Sequence, residues 1–301
     1  VRGASGIGKT SLVRSFLDEV RSRENVLVLS GRCYERESVP FKALDSLIDA
    51  LSRHLSKLRL EEITPILPRT IRALARIFPV LSRVEAIERA PRLPAETPDQ
   101  QELRRRAFRA LSELLGRLSE QGRIVLFIDD LQWGDADSAA MLLDLLKPPE
   151  APPIMLIGCY RAEEEAQSTV IRDMVQKSRA EGGDVRVLTV GALSPEEARD
   201  LAYTLLHQSE IASPERAEQI AEESQGNPFF IDALVRHQKR EPRPTSSSSG
   251  RISLDRVMQN RLSRLSRPSR RALELIAVAG RPLHVDLIVR AAALGVEDGA
   301  Q

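Results

Sequence analysis

A glycine-rich segment near the start of the chain carries the clearest chemical pattern in the sequence. It reads G-A-S-G-I-G-K-T from Gly3 to Thr10, and a helical pattern follows it directly. Glycines at these positions let the backbone wrap closely around an anion, so that successive N–H groups and the following helix N-terminus face it. The spacing predicts a P-loop that binds the phosphates of a nucleoside triphosphate, with ATP the expected ligand.

Two side chains of this loop have separate expected roles. Lys9 places a positive charge against the β- and γ-phosphates, and the hydroxyl of Thr10 is a ligand for Mg²⁺. A glycine-rich turn that matches by chance is the alternative, and the helix behind the loop disfavours it. The predicted nucleotide-binding residues of the loop are Gly3, Ser5, Gly6, Ile7, Gly8, Lys9, Thr10 and Ser11.

Two carboxylates end the apolar run IVLFIDD, in which Ile124 to Asp129 is predicted to form a buried strand. A carboxylate at the carboxyl end of a strand beside a P-loop is placed to hold Mg²⁺, directly or through water. We assign Asp129 to the metal and Asp130 to polarising the attacking water. The alternative is a pair of exposed acidic residues that begin a turn.

Arg161 directly follows another apolar run, IMLIGCY, from Ile154 to Tyr160. An arginine at this strand end can reach a γ-phosphate and report its presence, because a guanidinium group suits several contacts with phosphate. A surface arginine at a strand end is the alternative. The single tryptophan, Trp133, is expected to pack against a loop.

The elements that would position these residues alternate along the first part of the chain. Besides the two strands above, Val26 to Ser30 and Val185 to Val190 are apolar and rich in β-branched residues. Helical periodicity lies between the strands, and Thr97 with Pro98 is predicted to start one helix through a capping box. Alternating strands and helices predict an α/β fold with a parallel sheet between two helical layers.

Only helical patterns follow Val190. Ser194-Pro195 and Ser213-Pro214 each predict a serine-capped helix start, and Asn227-Pro228 predicts a third start. Residues 239–251 are polar and rich in Pro and Ser, which is typical of a flexible linker.

The composition limits the class of protein. The chain has 301 residues, 42% of them apolar, enough for one large or two ordinary domains. Its 44 Lys and Arg balance 43 Asp and Glu, which predicts no general attraction to nucleic acid or membrane. With two distant cysteines, no signal peptide and no membrane-spanning apolar run, we expect a cytoplasmic protein.

Only Val1 and Arg2 precede the loop, so we expect a fragment that lacks most of the preceding strand.

The order of these motifs resembles the signalling branch of the AAA+ ATPases, the STAND NTPases, which include replication-initiator-like AAA ATPase domains. The resemblance covers nearly the whole chain and rests on the P-loop and on GRCYERESVPFKALDSLIDAL, IVLFIDDLQWGDADS, IGCYRAEE and SQGNPFF. It implies a sheet in the order 5-1-4-3-2, with strand 1 largely missing. Gly31 to Leu51 and RALARIFPVLSRVEA are similar to modules attached to bacterial serine/threonine protein kinases. The chain itself has no H-R-D or D-F-G kinase motif.

The resemblance also implies a domain organisation. Gly226-Asn227-Pro228 matches a Gly-x-Pro motif that packs a helical lid near the nucleotide, so Pro228 is a predicted nucleotide contact. The expected parts are a P-loop ATPase core in 1–190, a helical lid in 191–238, the linker in 239–251 and the start of a winged-helix domain in 252–301.

Three functions remain open from the sequence. The leading one is an ATP-binding, slowly hydrolysing signalling switch, whose partners are ATP or ADP, other domains of a parent protein, and a protein partner or second copy. A DNA-binding transcriptional regulator or replication-initiator-like ATPase is the second; it would need a basic recognition helix, and we expect the chain to end before such a helix. A nucleotide-stabilised scaffold without hydrolysis is the third, and the presence of both Asp129 and Asp130 argues against it.

Overall fold

The computed structural model describes residues 1–22, 25–35, 40–91, 99–147, 149, 151–207, 213–240, 253–279 and 284–293. The chain divides into two compact units, Val1–Gly191 and Ala192–Gln301. No helix in the described part of the chain combines the length and the apolar character that crossing a bilayer requires.

The first unit contains a parallel sheet. Its strands are β1 (Arg2–Gly3), β2 (Val26–Arg32), β3 (Arg123–Asp129), β4 (Ile154–Gly158) and β5 (Tyr160–Arg161). All pairings are parallel and join β2 to β3, β3 to β4, and β1 to β5. Because β5 continues β4 after Cys159 and Thr189 bridges Arg2, β1 lies between β4 and residues 185–190. This agrees with the predicted order 5-1-4-3-2, in which strand 5 is the segment 185–190.

The predicted strand from Val185 to Val190 is wrong in its extent. Only Thr189 forms a bridge, and the hydrogen bonds run from Arg2 N to Leu188 O and from Val190 N to Arg2 O, both at 2.8 Å. The apolar pattern indicated a strand buried on both faces, yet the side chain of Leu188 is 55% exposed. A β-rich run becomes a regular strand only where a neighbour offers several ladder partners, and β1 offers Arg2 alone.

The described residues of the first unit form eight helices. They are α1 (Lys9–Arg21), α2 (Lys42–Leu55), α3 (Leu60–Ile63), α4 (Ile71–Ile77), α5 (Glu85–Glu88), α6 (Gln100–Ser119), α7 (Ala136–Leu145) and α8 (Thr169–Ala180). The predicted capping role of Thr97 is wrong, because α6 begins at Gln100 and Asp99 Oδ1 accepts a hydrogen bond from Gln101 N at 3.3 Å. An aspartate one residue before the helix satisfies the free N–H groups as well as a threonine would. Thr97 itself lies outside the described residues.

Successive side chains of β3 belong alternately to two separate buried cores. Val125 and Phe127 pack in a small core with α1. Ile124, Leu126 and Ile128 belong to a larger core with the buried faces of α2, α6 and α7. Successive residues of a strand point to opposite faces, so helices cover both faces of the sheet. The predicted three-layer α/β/α fold is therefore confirmed.

The described residues of the second unit form six helices. They are α9 (Pro195–His207), α10 (Pro214–Ser224), α11 (Pro228–Arg240), α12 (Leu254–Ser263), α13 (Arg267–Ala279) and α14 (Val285–Ala293). The predicted caps are confirmed, since Ser194 Oγ accepts from Glu197 N at 3.2 Å and Ser213 Oγ accepts from Arg216 N at 3.2 Å. The division of this unit into lid, linker and winged helix stays a prediction, and most of the linker lies outside the described residues.

Candidate functional site

The glycine-rich loop joins β1 to α1. Gly6 and Gly8 have φ angles of 75° and 95°, in the left-handed region that favours glycine. The helix then begins at Lys9, and its first turn contains no acidic residue. The free N–H groups and the positive end of the helix dipole at this point favour an anion. These features support the phosphate site predicted from the sequence, which stays a prediction.

Gly3 fits a close approach of two backbone segments. A Cβ atom built on Gly3 would lie 2.5 Å from the carbonyl oxygen of Val190, and backbone at that distance cannot give way cheaply. The first glycine of the loop is thus required where the P-loop meets the bridge between Arg2 and Thr189.

The ammonium group of Lys9 lies inside the loop. The residue is buried, and Nζ donates to the carbonyl oxygens of Gly3 at 2.9 Å and Ala4 at 2.8 Å. Burial lowers the pKa of Lys9, and the negative charge of Glu163 acts in the opposite direction. These carbonyl contacts hold a charged donor at the surface predicted to bind phosphate, where a phosphate oxygen would be a stronger acceptor.

Thr10 and Asp129 meet at the carboxyl end of β3. Thr10 Oγ1 donates to Asp129 with oxygen separations of 3.0 and 3.1 Å, and Asp129 is only 5% exposed. A hydroxyl and a carboxylate are the hard oxygen donors that Mg²⁺ prefers, usually together with substrate phosphates and water. The donor set fits a bound Mg²⁺, because these two oxygens already point at each other beside the loop.

The carboxylate of Asp130 is engaged on both oxygens. Arg32 donates to Oδ2 from Nε at 3.0 Å and from Nη2 at 2.7 Å, and Gln132 Nε2 donates to Oδ1 at 3.0 Å. The hydrogen bond to Asp130 raises the pKa of Arg32 above its ordinary value. Asp130 has a left-handed φ of 53°, which turns the chain at the end of β3. The predicted water-polarising group is therefore held by two side chains.

Arg161 lies at the end of β5, beside the turn that follows Asp130. Its backbone N donates to Gln132 Oε1 at 3.2 Å, and its guanidinium lies 5.9 Å from the ring centroid of Trp133. Trp133 packs against the larger core, as expected for a loop-packing side chain. Gln132 thus joins the Asp130 carboxylate to the Arg161 backbone. The γ-phosphate contact of Arg161 stays a prediction.

The remaining predicted residues fall in three different places. Ile7 is 7% exposed and supports the loop from within, whereas Ser5 and Ser11 lie on its surface. Pro228 begins α11 in the second unit, and its nucleotide contact stays a prediction.

Sequence reasoning missed Arg32 and Gln132. A signal for Arg32 was available, because parallel strands end at the same edge of a sheet and Arg32 ends β2, which pairs with β3. Arg32 and Asp129 are register partners in that ladder. Gln132 carried no such signal, since its position depends on the short 3₁₀ turn Leu131–Trp133.

The chain belongs to a known family. A family model described as AAA ATPase domain matches residues 1–157, more than half of the 301 residues. The chain is therefore a member of the AAA ATPase domain family and a nucleotide-binding P-loop module. A comparison with curated proteins finds no match.

Solved structures share the fold at low sequence identity. A Walker-type ATPase of Pyrococcus abyssi is 16% identical, with a TM-score of 0.50 over 96% of this chain and 82% of that chain. A STAND protein with a tetratricopeptide repeat sensor from Pyrococcus horikoshii is 14% identical, with a TM-score of 0.43 over 95% and 33%. The RuvB branch migration motor of Thermotoga maritima is 19% identical, with a TM-score of 0.38 over 98% and 72%. At these identities the likeness concerns the fold alone, and the structure from Pyrococcus abyssi, with a TM-score of 0.50, supports it.

Proposed function

We propose that the chain is the ATP-binding and slowly ATP-hydrolysing switch module of a larger bacterial regulatory protein. One observation carries the proposal: Thr10 Oγ1 lies 3.0 Å from the carboxylate of Asp129. This contact joins the phosphate loop to the acidic strand end, which are the two parts of a site for a nucleotide and Mg²⁺. Membership of the AAA ATPase domain family supports the same reading.

The residues of the loop divide the binding between them. The N–H groups at the start of α1 would bind phosphate oxygens, and Lys9 would exchange its contacts with Gly3 and Ala4 for phosphate contacts. Thr10 and Asp129 would hold Mg²⁺. When bound, this ion neutralises charge on the phosphate groups and favours their transfer.

The contacts of Asp130 support slow hydrolysis. A group that polarises the attacking water must accept a hydrogen bond from it. Arg32 donates two hydrogen bonds to Oδ2 of Asp130, and Gln132 donates one to Oδ1. Arg32 is 52% exposed at its side chain, so its ion pair with Asp130 faces water and can open. Opening would free Oδ2 for the attacking water, which gives the module a slow step between its ATP and ADP states.

The regulatory role rests on the resemblance of the sequence to signalling ATPases. The resemblance of Gly31 to Leu51 to modules of serine/threonine protein kinases motivates a parent protein of that kind. The resemblance also assigns a nucleotide contact to Pro228, whereas the γ-phosphate contact of Arg161 is motivated by its place at a strand end. The expected partners are ATP or ADP, other domains of the parent protein, and a protein partner or a second copy.

Binding and single-turnover measurements on the chain test this proposal. We expect Mg²⁺-dependent ATP binding, and slow phosphate release that falls in Asp130→Asn while binding is kept. Tight ATP binding with no phosphate release in the wild type would instead identify a nucleotide-stabilised scaffold. Equal phosphate release by wild type and Asp130→Asn would show that Asp130 does not act on water.

A further inference from the structure

A cleft of about 440 Å³ lies beside the P-loop on the α1 side of the strands β2 and β3. Its walls come from the second half of α1, the end of β2 and the segment that follows it. Asp129 is the one residue of the candidate nucleotide site that lines it, and no residue from Gly3 to Thr10 does. The volume lies in the range of small-molecule sites, about 300–1,000 Å³.

Three arginines line this cleft: Arg14, Arg21 and Arg32. Arg21 pairs with Asp18 at 3.0 Å, and Arg32 pairs with Asp130 at 2.7 Å. Arg14 is exposed and forms no ion pair with any other described residue. Among the described residues, Arg14 therefore has no acidic partner, and Arg32 has a partner that a ligand can replace.

The other walls suit a ligand with an apolar part. Leu17 and Phe127 form the apolar floor of the cleft, and because both are almost fully buried they offer little surface to a ligand. Tyr34 is 51% exposed, and its ring centroid lies 5.8 Å from the guanidinium carbon of Arg32. An aromatic ring beside a guanidinium group offers a flat surface next to an anion contact.

We propose that this cleft binds the phosphate group of a small phosphomonoester, held by Arg14 and Arg32, with the organic part of the ligand against Tyr34. A phosphate group carries nearly two negative charges and three acceptor oxygens, so it can take both guanidinium groups at once. The carboxylate of Asp130 has a single charge and reaches Arg32 alone. The ligand therefore competes with Asp130 for Arg32.

Occupancy of the cleft would regulate the proposed ATPase. If the phosphomonoester draws Arg32 away, Asp130 loses two of its donors and regains an oxygen for water. This consequence rests on the proposed function, whereas the binding itself does not. Because Asp130 and the phosphate group compete for Arg32, removal of the Asp130 charge should strengthen binding of the ligand in the cleft.

Calorimetric titration of the chain with phenyl phosphate, after saturation of the P-loop with Mg-ADP, tests the proposal. We expect Arg14→Ala to weaken binding at least about tenfold, as loss of a charge-assisted hydrogen bond does. Asp130→Asn should tighten binding. Arg105→Ala removes an exposed arginine of α6 outside the cleft and should leave binding unchanged. Equal affinity in wild type and Arg14→Ala, no tightening in Asp130→Asn, or no binding to the wild type would each overturn the proposal.

A titration of Lys9→Ala without nucleotide separates this proposal from the proposed function. We expect this variant to lose ATP binding and to keep phenyl phosphate binding, because Lys9 does not line the cleft. Loss of phenyl phosphate binding in a Lys9→Ala variant that melts like the wild type would place that ligand in the P-loop and end the cleft proposal. Retained ATP binding would count against the proposed function alone.

Discussion

Thr10 and Asp129 are hydrogen-bonded at 3.0 Å although 119 positions separate them in the sequence. The contact arises because β1 and β3 run in the same direction, so both the loop after β1 and the last residue of β3 lie at the carboxyl ends of strands. In open parallel sheets ligands bind at this edge. The fold thus brings a hydroxyl and a carboxylate together where neither sequence segment alone could form a site.

Asp129→Asn should weaken ATP binding in the presence of Mg²⁺ by at least about tenfold, since a charged oxygen donor is replaced by a neutral amide. The same variant should bind nucleotide as the wild type does when EDTA removes the metal. Titration with a fluorescent ATP analogue measures both affinities. Asp144→Asn, on an exposed position of α7, is the matched control. A Mg²⁺ effect of the same size in Asp129→Asn and wild type would remove Asp129 from the metal site.

Substitutions of Arg32 and Asp130 should change turnover in opposite directions. Asp130→Asn is expected to lower the hydrolysis rate at least about tenfold, the lower range for loss of a group that acts on the attacking water. Arg32→Ala is expected to raise it, because the substitution frees the oxygen that now accepts two hydrogen bonds. Single-turnover phosphate release gives both rates. A lower rate in Arg32→Ala would mean that Arg32 assists hydrolysis instead of restraining Asp130.

Gly3→Ala should destabilise the first unit because its Cβ would meet the Val190 carbonyl oxygen at 2.5 Å. Forced contacts of this kind cost about 1–3 kcal/mol. Gly116→Ala is the control, since no atom lies within 4 Å of its Cβ position in α6. That substitution should stabilise the helix by about 0.4–1 kcal/mol. Urea unfolding compares the two, and equal stability of Gly3→Ala and wild type would contradict the close approach at β1.

Stability should fall at alkaline pH through Cys159. Burial raises the pKa of this thiol from 9.0 to about 11. A raised pKa in the folded state gives stability that is complete below pH 9 and is lost as the pH rises through about 11. The loss is about 3 kcal/mol at most, since the pKa shifts by about two units and one unit corresponds to about 1.4 kcal/mol. The measurement compares unfolding free energies of wild type and Cys159→Ala from pH 8 to 11, and parallel curves would contradict the shift.

Local sequence signals predicted much of this structure correctly. The glycines and Lys9 of the loop, the buried strand that ends in Asp129, and the serine caps at Ser194 and Ser213 are each set by a few neighbouring residues. Glycine spacing, apolar runs and capping side chains act over one turn or one strand, so they can be read directly from the sequence.

Features that depend on distant partners were missed or wrong. The run from Val185 to Val190 has the composition of a strand, but its only bridge is to Arg2. The Arg32–Asp130 ion pair joins residues 98 positions apart, and only the register of β2 against β3 brings them together. Composition does not specify register or the number of ladder partners, so neither feature follows from local patterns.

The affinity of Lys9→Ala for ATP shows directly whether the loop from Gly3 to Thr10 is a nucleotide site. Titration of the chain with a fluorescent ATP analogue in Mg²⁺ should show binding to the wild type and to Lys177→Ala, a control on the exposed face of α8. Lys9→Ala should bind at least about tenfold more weakly, because the buried ammonium supplies charge-assisted hydrogen bonds to phosphate. Thermal melting must show that all three chains are folded. An unchanged dissociation constant in a folded Lys9→Ala chain would show that the loop from Gly3 to Thr10 is not the nucleotide site.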